Sequence, residues 1–431
     1  MKSGIIFSAF IVLVVLTGSA IAQDAAVEGL KVQIESLRKD YEQRIRDLEQ
    51  KLEQIQIQML QAPGLETAPV PQPAQQSVPG ILNPAISVIG NLVGRADDQD
   101  VFNEEGNGID DKFNLRETEI DFRVAVDPYA DGVLIVSLES EFPGEFETGV
   151  EEGYVSIKKL PFLEQNPLGL KLKTGRFRPS FGKTNILHTH DLPTTFRSLP
   201  VEEFLGEEGF IQNGLSANVF IPTPWDASAS LDATFEVMDG GNIALSPQTE
   251  SRISYLGHLR YFRSFEGGHD LDLGWSTYFH PSGEETGSAT AHAVDFLYRW
   301  KPFLQGQWRS FLLGGELFFA PGITAEAEEG PAQEIAETTP VGLTAFSQWQ
   351  FNRRTYAGIR YDRTDVLLSP DLHRTSITPY VSYYFSEFLR FRINYEHRWS
   401  DLAEEDGRNS LFLELNWLFG SHPPEPYWVN R

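Results

Sequence analysis

Hydrophobic and polar residues alternate along much of this chain, most clearly between Phe388 and Phe419. Every second residue there is apolar or aromatic: Leu389, Phe391, Ile393 and Tyr395, then Leu411, Leu413, Leu415, Trp417 and Phe419. Polar residues stand between them, with Phe412 and Leu418 breaking the pattern. A period of two predicts strands with one apolar and one wet face. The unit recurs from Pro84 onward in about sixteen segments, most near the 9–11 residues that cross a bilayer at a tilt. No amphipathic helix lies between the units to cover the apolar faces. A sheet closed on itself, with its apolar side in lipid, solves that problem. The expected fold is all-β: a transmembrane antiparallel β-barrel of about sixteen strands over residues 81–420.

The connections test this independently. Short ones (127–132, 222–226, 266–269, 352–354 and 386–387) alternate with long ones (95–111, 179–212, 239–251, 321–340 and 400–409). Outer-membrane barrels have short periplasmic turns and longer external loops, so both barrel ends belong in the periplasm and the strand number is even. Trp300, Trp349, Tyr361, Tyr383, Trp399 and Trp417 sit near strand ends, where an interfacial girdle is expected.

Ahead of the barrel the period changes. Lys2, the apolar run Ile5 to Leu16 and the Ala20-Ile21-Ala22 site predict a signal peptide over residues 1–22. The alternative, a retained anchor, has a short apolar run for a spanning helix. Val27, Leu30, Ile34, Leu37, Tyr41, Ile45, Leu48, Leu52, Ile55 and Met59 form a heptad seam with one stutter. Residues 23–61 are therefore expected to form a periplasmic coiled coil about 50 Å long. A single helix packed on the barrel is the alternative. Five prolines make 62–80 an extended linker. Residues 421–431 are expected to be a periplasmic tail.

Composition narrows the functions. A net charge of -26 argues against nucleic acid as a partner. The absence of cysteine excludes disulfides, thiolate metal sites and lipoprotein anchoring. Mean hydropathy is -0.27, which does not exclude a barrel, because alternation hides its lipid face.

A barrel this wide keeps an aqueous lumen. Its lining should come from residues out of phase with the apolar ones: the bases Arg123, Lys171, Lys173, His258, Arg260, Arg299, Arg360, Arg390, Arg392 and Arg398. Acids share the lining, among them Glu119, Asp121, Asp272, Glu316, Glu396 and Glu414. The alternative to an organised basic wall is a mixed, solvated lumen. Loop acids such as Asp97, Asp98, Asp100 and Glu104 gather cations at the mouth, or serve solubility, or bridge to lipopolysaccharide through divalent ions. His188-Thr189-His190-Asp191 invites a metal reading, but two histidines without partners of known geometry are a weak signal. No metal and no cofactor is expected. No Gly-x-Ser-x-Gly, phosphate-cradling loop or convincing Ser/His/acid set appears, so an enzyme is not expected.

The segment Leu82-Asn83-Pro84-Ala85-Ile86-Ser87-Val88-Ile89-Gly90, followed by Leu115-Arg116-Glu117-Thr118-Glu119-Ile120, resembles the phosphate-selective porin O/P-like outer-membrane proteins. The likeness runs from about Leu82 to Phe419. It implies a homotrimeric sixteen-stranded porin, in some members with an N-terminal coiled coil. It also implies that the long loop 179–212 folds inward to narrow the pore. That loop carries Glu202, Glu203, Glu207 and Glu208, and an acidic loop facing basic residues sets a transverse field; the alternative is a solvated loop surface. The chain departs from the pattern in its tail after Phe419. The expected function is a Gram-negative outer-membrane porin passing small hydrophilic or charged solutes. The alternative is a tether to peptidoglycan or other cell-wall material through the coiled coil.

Overall fold

The computed structural model describes residues 84–430 except 103–107, 110–111, 141–145, 161–167, 241–252, 282–287, 323–337, 368, 403–404, 422 and 424. The expected signal peptide, coiled coil and linker lie outside the described residues.

Sixteen strands close into one barrel. They are β1 (Ala85–Asp97), β2 (Phe113–Asp127), β3 (Ala130–Glu139), β4 (Glu147–Ile157), β5 (Lys171–Phe177), β6 (Gln212–Ile221), β7 (Ala229–Met238) and β8 (Ser254–Phe265). The second half holds β9 (His269–His280), β10 (Ala289–Trp300), β11 (Ser310–Phe319), β12 (Val341–Gln350), β13 (Thr355–Val366), β14 (Ser369–Ser386), β15 (Leu389–Ser400) and β16 (Asn409–Gly420). Each strand pairs antiparallel with the next. β16 returns to β1, from Ser87 opposite Gly420 to Asp97 opposite Ser410, so no edge remains. No described helix is long and apolar enough to cross a membrane, which says nothing against crossing by strands.

The alternation sorts side chains as the period requires. On β15, Arg390, Arg392, Asn394 and Glu396 are buried inside, while Ile393, Tyr395 and Trp399 are exposed outside. Leu259, Leu273, Trp275, Leu317, Leu343 and Val381 continue the outer apolar face. No second layer of described protein covers it. Tryptophans cluster at the short-turn end, where the rings of Trp300 and Trp349 lie 5.8 Å apart.

The loop alternation holds with three departures. Connections 158–170 and 301–309 are longer than turns at the short-turn end, and 367–368 is tight at the long-loop end. There β13 and β14 continue as a paired ribbon, and β14 runs for 18 residues.

The long connection 178–211 enters the barrel. It carries a 3-10 turn (Thr189–Asp191) and the short helix α1 (Leu199–Leu205), which packs on β12, β13 and β14. Pro200 suits the first turn of that helix. Loop residues Phe181, Val201, Phe204 and Phe210 meet Met238, Leu256, Tyr278 and Phe318 of the inner wall. These apolar residues at lumen positions give the loop its seat.

The C-terminal segment departs from expectation. A tail in the periplasm was predicted, but Tyr427 to Asn430 lie inside the barrel. Trp428 is completely buried and packs with Leu187 and Leu192 of the loop and Leu297, Leu312 and Phe346 of the wall. Gln348 Nε2 donates to the Trp428 carbonyl at 2.8 Å, and Tyr356 Oη to the Asn430 carbonyl at 2.7 Å. An apolar Tyr-Trp-Val run gains more from this cluster than from water.

Candidate functional site: the charged lumen

The basic residues predicted to line the lumen divide into two sets. The first holds the inward loop. Arg390 Nη2 donates to the His190 carbonyl at 2.7 Å, Arg392 Nη2 to the Leu192 carbonyl at 2.7 Å, and Arg360 Nη1 to the Phe196 carbonyl at 2.7 Å. Each is neutralised from the wall: Arg390 and Arg392 share Glu414, at 2.6 and 3.0 Å, and Arg360 lies 2.8 Å from Asp362. These guanidiniums are nearly or fully buried, so they satisfy loop carbonyls that have left water. Arg398 pairs with Glu396 at 3.0 Å and Glu405 at 3.4 Å.

The second set meets water. The side chains of Arg123, Arg260 and Arg299 are 38%, 44% and 35% exposed and pair with Asp121, Asp272 and Asp270 at 2.7–2.8 Å. His258 Nδ1 lies 2.8 Å from Ser276 Oγ. Lys171 is exposed, and Lys173 Nζ sits 4.3 Å over the Phe177 ring. Among the described residues no carboxylate lies within ion-pair distance of either lysine. This wet basic set stands on β2, β5, β8 and β10, towards the short-turn end.

The four loop glutamates also part ways. Glu203 pairs with Arg374 at 2.7 Å and accepts the Leu367 N–H at 2.9 Å, which ties α1 to the β13–β14 ribbon. Glu202 is half-buried; burial pushes its carboxyl up to about 7, with Glu396 adding to the shift and Arg398 and Arg360 opposing it. Glu207 and Glu208 are exposed, and the Glu208 carbonyl accepts from Arg178.

Across the lumen the loop reaches the opposite wall. Glu236 accepts the Ser180 N–H at 3.0 Å, and Glu316 accepts the N–H groups of Lys183 and Thr184. Lys183 Nζ pairs with Asp272 at 2.7 Å. The loop therefore bridges the barrel, held from both sides.

The two loop histidines gain partners that the sequence reading could not assign. His188 Nδ1 lies 3.2 Å from Glu119 and 3.0 Å from Glu151; His190 Nδ1 lies 3.2 Å from Glu119 and 3.7 Å from Glu117. A β-bulge between Ile135 and Val136 leaves Glu151 unopposed on β4, so Glu151 and Glu152 are both buried. Burial alone would lower both histidine pKa values. The surrounding carboxylates, Glu119 foremost, outweigh it and hold both well above the usual range.

Known proteins resemble the chain at two levels. No family profile matches it. An uncharacterised protein of Aquifex aeolicus is 26% identical over 356 residues, covering 73% of this chain and 70% of that one. The outer membrane channel DcaP of Acinetobacter baumannii superposes with a TM-score of 0.51 at 10% identity, over 78% of this chain and 97% of that one. OprB of Pseudomonas putida gives 0.49 at 9% identity, over 79% and 95%. At 10% identity the likeness to DcaP establishes the fold alone, a porin-type barrel.

Proposed function

We propose that the chain is an outer-membrane diffusion channel for small hydrophilic solutes, working as a homotrimer in contact with lipid and lipopolysaccharide. The observation that carries this reading is the two-sided wall: apolar side chains face outward around a closed barrel, and ionised groups face in. A soluble protein would have to cover that outer face, whereas hydrocarbon covers it without cost. The bridging loop narrows the lumen, and the wet bases Arg123, Lys171, Lys173, Arg260 and Arg299 form its charged path. Trimer formation follows from the sequence resemblance. Phosphate preference is not proposed: Arg360, Arg390 and Arg392 are occupied by loop carbonyls and carboxylates, so they offer no unpaired ladder to an anion. The tether reading rests on residues 23–61, outside the described residues.

Planar-bilayer recording of the purified full chain tests the proposal. Insertion in three equal conductance steps, with ohmic current, is the expected result. A correctly folded barrel that carries no current would overturn the channel, and single-step insertion would overturn the trimer.

A further inference from the structure

The histidine cluster has a geometry that the channel reading does not use. Glu117 and Glu119 project from β2, and His190 comes from the inward loop. His190 Nδ1 lies 3.2 Å from Glu119 Oε1 and 3.7 Å from Glu117 Oε2. The three donor atoms all lie within 4.8 Å of one another, and all three residues are buried. In a zinc tetrahedron with bonds of about 2.0–2.1 Å, donors stand roughly 3.3–3.4 Å apart. The two measured separations bracket that edge.

A second observation points to a missing occupant. Glu117 Oε2 makes no hydrogen bond, and His190 Nδ1, though 3.2 Å from Glu119 Oε1, makes none of good geometry; the two side chains are only 4% and 6% exposed. Buried polar atoms are rarely left this way, because each orphan costs on the order of 1–3 kcal/mol. Both belong to the same close group of donor atoms, together with Glu119. Around it stand Glu151 and Glu152, of which Glu151 pairs with Arg178 at 2.6 Å, so the cluster is rich in carboxylates. On the far side of the ring, His190 Nε2 faces Asp191 Oδ1 at 3.7 Å, an ion-pair contact longer than a hydrogen bond.

We propose that Glu117, Glu119 and His190 form a binding site for one first-row divalent metal ion, with zinc as the reference case, that fastens the inward loop to β2. One nitrogen and two carboxylate oxygens suit zinc, manganese or iron(II), whereas calcium and magnesium take oxygen-only shells. His188 shares Glu119 with His190, at 3.2 Å. The ion ties Leu187–Leu192 from one side while Arg390 and Arg392 hold the same turn from the other. In the sequence the two histidines stand without visible partners. The glutamates stand some seventy positions earlier in the chain, and only the folded loop brings them within reach.

The test uses the full chain in detergent, stripped with a chelator and then exposed to zinc chloride. About one zinc per chain should survive gel filtration, and calcium or magnesium should not displace it. His190→Ala and Glu117→Gln should each weaken zinc binding at least tenfold, measured on barrels whose heat-shifted gel migration shows them folded. Glu117→Gln keeps the side-chain volume, so it carries the test if His190→Ala does not fold. Cobalt substituted into the unmutated chain should give the visible bands of a mixed nitrogen–oxygen site, independently of any variant. Three results overturn the proposal: no retained zinc, retention unchanged in both variants, or full displacement by calcium. The first would mean that protonated histidines balance the glutamates instead.

Discussion

Glu414 accepts hydrogen bonds from Arg390 and Arg392 at once, and it is completely buried. Taking away its charge leaves two guanidiniums uncompensated in the same place. Glu414→Gln should therefore lower stability by about 3–5 kcal/mol, read from the urea midpoint in detergent; an unchanged midpoint would show that water reaches the pair. Glu202 is the opposite case, a carboxyl held neutral at mildly acid pH. Its folded pKa of about 7 exceeds the ordinary carboxylate value near 4.5, so the folded state binds the extra proton between them. Its contribution to α1 docking is fully present below about 4.5 and declines as pH rises through 7. Ionisation there also adds negative charge to the lumen. Cation preference should accordingly rise between pH 6 and 8, and Glu202→Gln should flatten that part of the reversal-potential curve. Residue-scale reading of the sequence succeeded where phase alone decides, as at Arg392 and Glu414. It failed where a partner was remote. Phe412, an exception to the alternation, is buried at a lumen position because Phe196 of the loop packs against it with ring centroids 4.9 Å apart.

The strands were legible because one simple rule, an apolar residue outward at every second position, holds along them. Leu273 follows it, on the outer face of β9. Leu273→Arg should cost about 2–4 kcal/mol of barrel stability, measured by reversible unfolding in lipid; a neutral result would deny that this face meets hydrocarbon. The loop follows no such rule, and its inward path came from resemblance rather than from its own residues. Its seat depends on local geometry that sequence period does not encode. Gly182 has φ +66°, and a Cβ there would stand 2.6 Å from Glu316 Oε1, the carboxylate that accepts the next two N–H groups. Gly182→Ala should cost about 1–3 kcal/mol and raise open-channel current noise as the loop loosens. The bulge at Glu151 was equally invisible, since a two-residue period carries no mark of an inserted residue.

At the scale of the whole molecule, the lumen is shared between wall, loop and chain end. The sequence predicted a barrel with a pore narrowed by one element, whereas the structure has two, because residues 427–430 also lie inside. A short aromatic segment after the last strand gives no periodic signal from which its destination follows. Truncation after Gly420 should increase conductance while leaving the sixteen-strand barrel intact, as read from unchanged circular dichroism. Unchanged conductance would mean that solutes already bypass the chain end.

The buried tryptophan also imposes an order of events. Its socket draws on Leu187 and Leu192 from one part of the chain and on Leu297, Leu312, Phe346, Tyr356 and Tyr384 from another. That socket cannot exist until these distant stretches have come together, and the segment that fills it is made after every strand. Insertion of the terminus is then a final latch, thrown only on a finished cylinder. During refolding, acrylamide should keep quenching Trp428 after strand content has reached its final value, and lose access to it only afterwards.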